Sequence, residues 1–201
     1  MKKAFLLSAI ALISFSSFAQ SKDEATKPGM RFGIRAGATF SALTTKAEIL
    51  GIDMEGSTKM GTSFYVGAVV DIPVGEVLAV QTGAMFVGKG SKNLNPMYIE
   101  VPINLLVKFD TGAGKVFLGA GPYIAYGVAG KAAGETIKYG DGVMELKALD
   151  YGVNFQLGYE LANGLSINGG YGLGLADINN IEVGGTKTKH GVISVGLGFN
   201  F

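Results

Sequence analysis

His190 is the only histidine of the chain, and it shares with Glu100 and Asp150 the polar positions near one end of predicted strands. An imidazole and two carboxylates could bind a metal ion or form a catalytic pair. A catalytic serine would have to lie within hydrogen-bond reach of His190, and no spacing in the sequence indicates one. No second histidine on the same strand provides metal-ligand spacing. The pattern therefore favours a histidine without a chemical role, at the outer rim of the folded strands, where a loop meets a strand. We expect no catalytic, metal or cofactor site.

The other polar residues with a chemical role to weigh fall on one face of the predicted strands. Three of them are cations, four are carboxylates and the rest are amides. Isolated buried charges are costly, so these groups are expected to pair with one another. The residues are Arg31, Arg35, Asp71, Gln81, Glu100, Asn104, Lys108, Asp150, Asn154, Gln156 and Glu160, with Asn168 on the same face. A network of this kind predicts a plugged interior. A small-solute pore, the alternative, would need more strands or an excess of one sign.

The element that positions these residues is a strand, repeated eight times. In the last segment Ile193, Val195, Leu197, Phe199 and Phe201 alternate with small or polar residues. Period-two alternation indicates strands, whereas helices would space apolar residues by three and four. One face is apolar in every segment, and the other is predicted to be polar or tiny.

Two closed structures fit this alternation, a soluble barrel with an apolar interior and a transmembrane barrel with an apolar exterior. The polar face is rich in glycine rather than charge, which suits a narrow lumen better than a solvent-exposed surface. Connections alternate between long (43–61, 88–97, 129–148, 176–190) and short (73–77, 110–115, 162–164). We predict an all-β, eight-stranded, antiparallel, up-and-down transmembrane β-barrel, with long outer loops and both termini in the periplasm.

Aromatic residues lie near the ends of the predicted strands and form two predicted girdles around the apolar band. The outer girdle comprises Phe40, Phe64, Phe86, Tyr126 and Tyr151, and the periplasmic girdle comprises Phe32, Phe109, Tyr159 and Phe199, with Phe201 beside it. The girdles predict that lipid surrounds the barrel.

The N-terminus has the features of a secretory signal. Two lysines precede an apolar run too short to span a membrane comfortably, and small residues follow it. We expect residues 1–19 to be a cleaved signal peptide, residues 20–29 a short periplasmic segment and residues 30–201 the barrel. The absence of cysteine excludes disulfides and thiolate sites. The formal charge of +1 provides no electrostatic case for nucleic acid as a partner.

The end of the chain resembles the C-terminal sorting signal of outer-membrane barrels. Leu197, Phe199 and the terminal Phe201 supply the alternating hydrophobic residues and the final aromatic. The resemblance implies that the barrel-assembly machinery recognises this segment.

Three segments, "YIEVPINLLVKF" (98–109), "VFLGAGPYIAYGV" (116–128) and "DYGVNFQLGYEL" (150–161), resemble a family of small outer-membrane β-barrels described as porin-like or PorT-like. The resemblance covers most of the chain and implies an eight-stranded barrel in the outer membrane. It leaves two roles open. One is a structural or surface-interaction barrel that meets protein partners through its outer loops. The other is a component of a protein-secretion or outer-membrane assembly complex, since the relative PorT is linked to secretion.

Overall fold

The chain forms an antiparallel β-barrel that closes on itself. The structure is a computed structural model, and it describes residues 29–49, 52–92, 94–132, 135–140, 146–178 and 187–201. The predicted signal peptide lies outside the described residues, as does nearly all of the predicted 20–29 segment. Among the described residues, no helix is long and apolar enough to cross a membrane.

Eight strands build the wall, and two short ones extend it. The ten strands are β1 (Arg31–Ile49), β2 (Ile52–Ser57), β3 (Gly61–Pro73), β4 (Leu78–Gly88), β5 (Leu94–Asp110), β6 (Gly114–Ala132), β7 (Glu135–Thr136), β8 (Leu149–Leu161), β9 (Leu165–Gly174) and β10 (Lys187–Asn200). Around the wall the order is β1-β3-β4-β5-β6-β8-β9-β10, and every neighbouring pair is antiparallel.

The first and last strands close the barrel. Their register runs from Gly33 opposite Asn200 to Lys46 opposite Lys187. Beyond it, the amide of Phe201 donates to the carbonyl oxygen of Phe32 at 2.8 Å. Every strand of the wall therefore has two neighbours, and the predicted eight-stranded barrel is confirmed.

The wall has an exposed apolar outer face, as the period-two pattern predicts. Strand β5 shows the alternation clearly: Ile99, Val101, Ile103 and Leu105 are exposed, whereas the residues between them are buried. Exposed apolar side chains continue around the other wall strands. The apolar surface is thus on the outside of the barrel, which is the inverse of a soluble barrel.

The inner face is not only polar or tiny, and that expectation is wrong. Tyr98, Leu106 and Phe117 point inward and are at most 1% exposed. Glycines on neighbouring strands leave room for them. A Cβ on Gly158 would come within 2.3 Å of Phe117 Cζ, and one on Gly119 within 2.3 Å of Leu106 Cδ2. The lumen is too narrow for two large side chains at one level, so a large inward side chain packs against a glycine of the neighbouring strand.

The two ends of the barrel differ. At the "turn end", residues 74–77, 111–113 and 162–164 join the strands, and Gly112 and Gly164 adopt φ of 83° and 89°, where glycine is favoured. At the "loop end", the opposite one, the strands run further than predicted. Strand β1 continues to Ile49 and pairs with β2 there.

The predicted long connection 88–97 is wrong. Strand β4 ends at Gly88 and β5 begins at Leu94, so that only residues 89–93 connect them. Strand β5 continues through Pro96 because a register shift at Met97/Tyr98 lets it keep pairing with β6. Lys89 is the first residue of this short connection, and it is buried inside the loop end of the lumen.

Candidate functional site

A cluster of charged and aromatic side chains fills the lumen near the loop end. This loop-end cluster comprises Lys89, Tyr98, Glu100, Tyr123, Asp150 and His190. Lys89 Nζ lies 2.6 Å from Glu100 Oε2 and 3.0 Å from Asp150 Oδ2. The ammonium group also lies 3.9 Å from the centre of the Tyr123 ring, a cation–π distance. One lysine therefore neutralises two carboxylates in a nearly dry site, where its side chain is 3% exposed.

Hydroxyl groups of β1 hold the residues on either side of Lys89. Thr39 Oγ1 donates to the carbonyl oxygen of Gly88 at 2.8 Å, and Ser41 Oγ donates to that of Gly90 at 2.7 Å. The amide of Lys89 donates to the carbonyl oxygen of Pro96 at 2.9 Å. These bonds fix the backbone across the lumen, so that the lysine side chain points inward.

Sequence reasoning missed Lys89 because the residue was assigned to a loop. The predicted interior held four carboxylates against three cations, and that imbalance was the available signal. With Lys89 included, the inward charges are four and four.

His190 was predicted at the outer rim, and it lies near the loop end of β10 as a buried residue. It is 1% exposed, and its Nε2 lies 3.3 Å from the hydroxyl oxygen of Tyr98. The two rings meet edge to face at 5.6 Å. In the part of the chain that the structure describes, no three histidine, cysteine or acidic side chains are grouped so that they could hold a metal ion. His190 here is a packed histidine beside an aromatic ring.

A second group of charges fills the lumen near the turn end. This turn-end cluster comprises Arg31, Asp71, Gln81, Lys108 and Glu160. Lys108 Nζ lies 2.6 Å from Asp71 Oδ2 and 3.6 Å from Glu160 Oε2, and Arg31 pairs with Glu160. Asp71 also accepts from Gln81 Nε2 at 2.6 Å. Each carboxylate of this cluster therefore has at least two polar contacts.

Amide side chains extend both clusters towards the middle of the lumen. Gln156 Nε2 donates to Gln81 Oε1 at 2.9 Å, and Arg35 donates through a terminal nitrogen to Gln156 Oε1 at 2.6 Å. On the other side, Asn154 Nδ2 donates to Glu100 Oε1 at 2.8 Å. Asn104 is buried beside them, and its Oδ1 has no partner. The interior residues proposed from the sequence thus fall into two clusters with amides between them.

A cavity of about 110 Å³ lies between the two clusters. Its polar lining includes Arg35 and Gln81 from one side and Lys89 and Glu100 from the other, together with Asn104, Asn154 and Asn168. Apolar side chains, among them Val69 and Met85, complete the wall. The middle of the lumen therefore has a mixed polar and apolar lining and is not completely filled.

Several residues that follow the wall strands at the loop end are buried. Ala176, Ile178 and Ile137 are at most 9% exposed. Tyr139 packs edge to face on Tyr98 at 6.0 Å, and its hydroxyl donates to the carbonyl oxygen of Ala129 at 2.7 Å. Burial raises the pKa of Tyr139 to about 12. Of these residues, Tyr139 packs directly on the aromatic rings of the loop-end cluster.

Comparison with known proteins decides the family. A family model described as "Outer membrane protein beta-barrel domain" matches residues 18–180, most of the chain. The chain belongs to this family. No curated protein matches it.

Among solved structures, the outer membrane protein OprG from Pseudomonas aeruginosa is similar, with a TM-score of 0.50 and 16% sequence identity. The match covers 89% of this chain and 99% of OprG. Neisserial surface protein A matches with a TM-score of 0.47 at 16% identity, over 87% of this chain and 100% of its own. At 16% identity, the match to OprG shows a shared fold and nothing finer.

Family membership gives the exposed apolar wall its environment, the lipid of the outer membrane. None of the nine aromatic residues predicted to form girdles is buried, and Phe64, Phe109, Tyr126 and Tyr151 are at least 50% exposed. Phe64, Phe86, Tyr126 and Tyr151 lie towards the loop end of their strands, whereas Phe32, Phe109, Tyr159 and Phe199 lie towards the turn end. Phe40 is at the midpoint of β1, opposite Thr62 of β3. Phe64 and Phe86 are in ring contact across two strands at 6.1 Å.

The C-terminal segment of this outer-membrane barrel is also on the outer face. Leu197 is 58% exposed and Phe201 is 71% exposed. The rings of Phe199 and Phe201 pack edge to face at 5.3 Å. Both aromatic residues are thus accessible from outside the barrel at the turn end.

Proposed function

We propose that the protein is a non-catalytic outer-membrane barrel whose polar interior is plugged, and that its role is structural or one of surface interaction. The observation that carries the proposal is the pairing of opposite charges at two levels of the lumen, at Lys89 with Glu100 and Asp150, and at Lys108 with Asp71 and Glu160. Pores that select ions line their path with rings of one sign. In this lumen, the carboxylates of Asp71, Glu100, Asp150 and Glu160 each lie within 4 Å of a cation.

Burial at the loop end supports the same proposal. Tyr98 and Asp150 are 0% exposed, and Tyr139 packs edge to face on the Tyr98 ring. A hydrated solute entering from that end would have to pass these side chains and break the Lys89 contacts. Breaking contacts to a buried charge is costly.

For orientation, we propose that the turn end faces the periplasm together with both termini. Short periplasmic turns and longer external loops are typical of outer-membrane barrels. The two groups of aromatic side chains would then lie at the two lipid–water boundaries. Leu197, Phe199 and Phe201 would be accessible to the barrel-assembly machinery at the periplasmic side during biogenesis.

A surface role is supported by the length of β1. A strand of about 9–11 residues spans the apolar layer, whereas β1 has 19 residues and pairs with β2 from Thr44 onwards. The β1–β2 hairpin, with β10 pairing on its other side as far as Lys187, extends the wall beyond the lipid-facing strands. We propose that protein partners would meet the barrel on this hairpin.

Single-channel recording in planar bilayers tests the plug. The purified protein is expected to give no reproducible open steps of porin size, because both charged levels block the lumen. An open porin in the same bilayer and the detergent alone provide the controls. Regular steps of porin size from the wild-type protein would contradict the proposal.

The native size after gentle detergent extraction from the host membrane tests whether the barrel acts alone. Migration as one barrel in its micelle supports the stand-alone role. Migration with other chains in a particle several times larger would instead favour the alternative, a PorT-like component of a secretion or assembly complex.

A further inference from the structure

The cavity between the two clusters is lined by three residues with a buried polar atom that lacks a hydrogen-bond partner. The atoms are Arg35 Nε, Asn168 Nδ2 and Asn104 Oδ1. Their residues are at most 8% exposed, so that bulk solvent does not supply the missing partners. Unpaired buried polar atoms are rare in folded proteins, and each needs an explanation. Two of the three atoms are donors, and both therefore need an acceptor.

The cavity is open because β9 lines it with residues that have no side chain. Gly170 and Gly172 follow Asn168 on the inward face of this strand. On the neighbouring strand β10, Ser194 pairs with Gly170 and adds only a hydroxymethyl group to the lining. A volume of about 110 Å³ remains, and a water needs about 10–15 Å³ of such volume. The space therefore has room for a small ion together with several waters.

Arg35 differs from the other cations of the lumen. In the part of the chain that the structure describes, each of the other three inward cations lies within 4 Å of a carboxylate, and Arg35 does not. Arg35 donates instead to the neutral Gln156 at 2.6 Å and lies over the face of the Phe117 ring at 5.4 Å. A buried charge is costly unless an opposite charge pairs with it. Arg35 therefore lacks the counter-ion that its burial calls for.

The other charged residues of the lining already neutralise each other. They are Lys89 and Glu100, which pair at 2.6 Å, and Asn154 Nδ2 also donates to Glu100 at 2.8 Å. Asp150, the second carboxylate bound by Lys89, does not line the cavity. The lining therefore carries one net positive charge, and the group without a counter-ion is Arg35.

Asn168 supplies a second donor to the same cavity. The Tyr65 hydroxyl donates to Asn168 Oδ1 at 2.6 Å, which fixes the amide with its Nδ2 group unpaired. Waters alone could accept from this group and from Arg35 Nε, but they would leave the charge of Arg35 without a counter-ion. An anion satisfies both donors and the charge together.

We propose that the cavity binds a small monovalent anion, a halide or a short carboxylate, which accepts from Arg35 Nε and Asn168 Nδ2. Its single negative charge balances the net positive charge of the lining. Waters in the remaining space donate to Asn104 Oδ1. The site goes beyond the plugged barrel proposed above, because it makes the stability of the interior depend on a bound ion.

The test uses the full chain refolded in detergent micelles in sodium gluconate, a bulky monovalent anion outside the proposed class. Chloride or acetate then replaces gluconate at constant ionic strength, so that screening stays the same. We expect a saturable rise in unfolding temperature, and saturable binding in equilibrium dialysis with the labelled anion. The anion with the higher affinity identifies the site as one for a halide or for a carboxylate. No saturable effect of either anion would overturn the proposal and leave waters as the content of the cavity.

The variants Arg35→Gln and Arg31→Gln form a matched pair. Each removes one arginine of β1, but Arg31 pairs with Glu160 and does not line the cavity. Arg35→Gln is expected to weaken the binding of chloride and acetate by about tenfold or more, the cost of losing a hydrogen bond between charged groups. Arg31→Gln is expected to change it by less than about threefold, because its charge is partly exposed and screened. Equal losses in the two variants would contradict the site.

Asn168→Asp gives a second variant in case Arg35→Gln does not fold. The new carboxylate keeps an acceptor for the Tyr65 hydroxyl and places a negative charge in the lining of the same cavity. It is expected to abolish the dependence on chloride and acetate, because it takes the place of the bound anion. Undiminished dependence in this variant would contradict the proposal. The two proposals fail separately: porin-size channel steps would contradict the plug, whereas a closed barrel that binds neither anion would contradict only this site.

Discussion

Each of the two charged clusters in the lumen neutralises two buried carboxylates, but the clusters differ in how many cations do so. At the turn end two cations, Arg31 and Lys108, share two carboxylates, and amide side chains provide further contacts. At the loop end a single cation, Lys89, serves both carboxylates. The side chains of Arg31 and Lys108 are 34% and 14% exposed, against 3% for Lys89. From this difference we expect the loss of a charged residue to destabilise the barrel less at the turn end, where contacts are redundant and water can enter, than at the loop end.

The largest effect is therefore expected for Lys89→Met. This change leaves Glu100 and Asp150 buried without a cation, and breaking a buried pair in this way costs about 3–5 kcal/mol. Urea unfolding in micelles would measure the free energy of unfolding. The matched variant Lys108→Met leaves Asp71 with Gln81, and Glu160 with Arg31 and Asn200, so that a clearly smaller loss is expected. Equal losses in the two variants would show that redundancy does not matter here.

A control on the same connection is Lys92→Ala. Lys92 is exposed and lies three residues from Lys89. Its removal is expected to leave the free energy of unfolding within about 0.5 kcal/mol. A loss like that of Lys89→Met would point to the connection itself rather than to the buried ammonium group.

An intermediate loss in the free energy of unfolding is expected for Gly158→Ala. This variant tests whether the turn-end half of the lumen accommodates an added methyl group. The new Cβ would lie 2.3 Å from Phe117 Cζ, under the ring that faces Arg35. Overpacking of this kind costs about 1–3 kcal/mol. Gly169→Ala is the matched control, since its Cβ would meet only Ser194 O, at 3.6 Å. Unfolding curves of the two variants should differ; similar curves would mean that the Phe117 ring moves aside freely.

The smallest effect is expected for Arg31→Gln. The ion pair of Arg31 with Glu160 is partly exposed, and Glu160 keeps Lys108 and Asn200. Exposed pairs contribute about 0–1 kcal/mol and are screened by salt. The difference in free energy of unfolding between variant and wild type should shrink further at high ionic strength. A loss comparable to that of Lys89→Met would show that the turn-end cluster is as sensitive to the removal of one cation as the loop-end cluster.

The sequence predicted the barrel because strand alternation is a local signal that repeats along the chain. Ile99 and Glu100 reveal opposite faces by adjacency alone. The same parity put Asp71, Lys108 and Glu160 on one face near one end, where the structure brings them together.

The details of the loop-end cluster could not be predicted in the same way. Lys89 lies outside the strands, and its direction depends on Thr39 and Ser41, almost fifty residues earlier. Alternation places Tyr98 inward beside Glu100, but its contact with His190 joins residues 92 positions apart. Contacts between segments far apart in the chain determine the direction of Lys89 and the partner of Tyr98. A local pattern in a single sequence does not reveal such contacts.

The pairing of β1 with β10 has a consequence for the kinetics of folding. Residues such as Gly33 and Asn200 are neighbours in space but lie at opposite ends of the barrel sequence. Contacts of such long range slow folding, because chain entropy is lost before the contacts form. Until they form, an incomplete sheet presents two unpaired edges, which are templates for aggregation. We expect closure of this seam to be the slow step of assembly, and a chaperone that covers the edges would accelerate recovery of the folded barrel without changing its final stability.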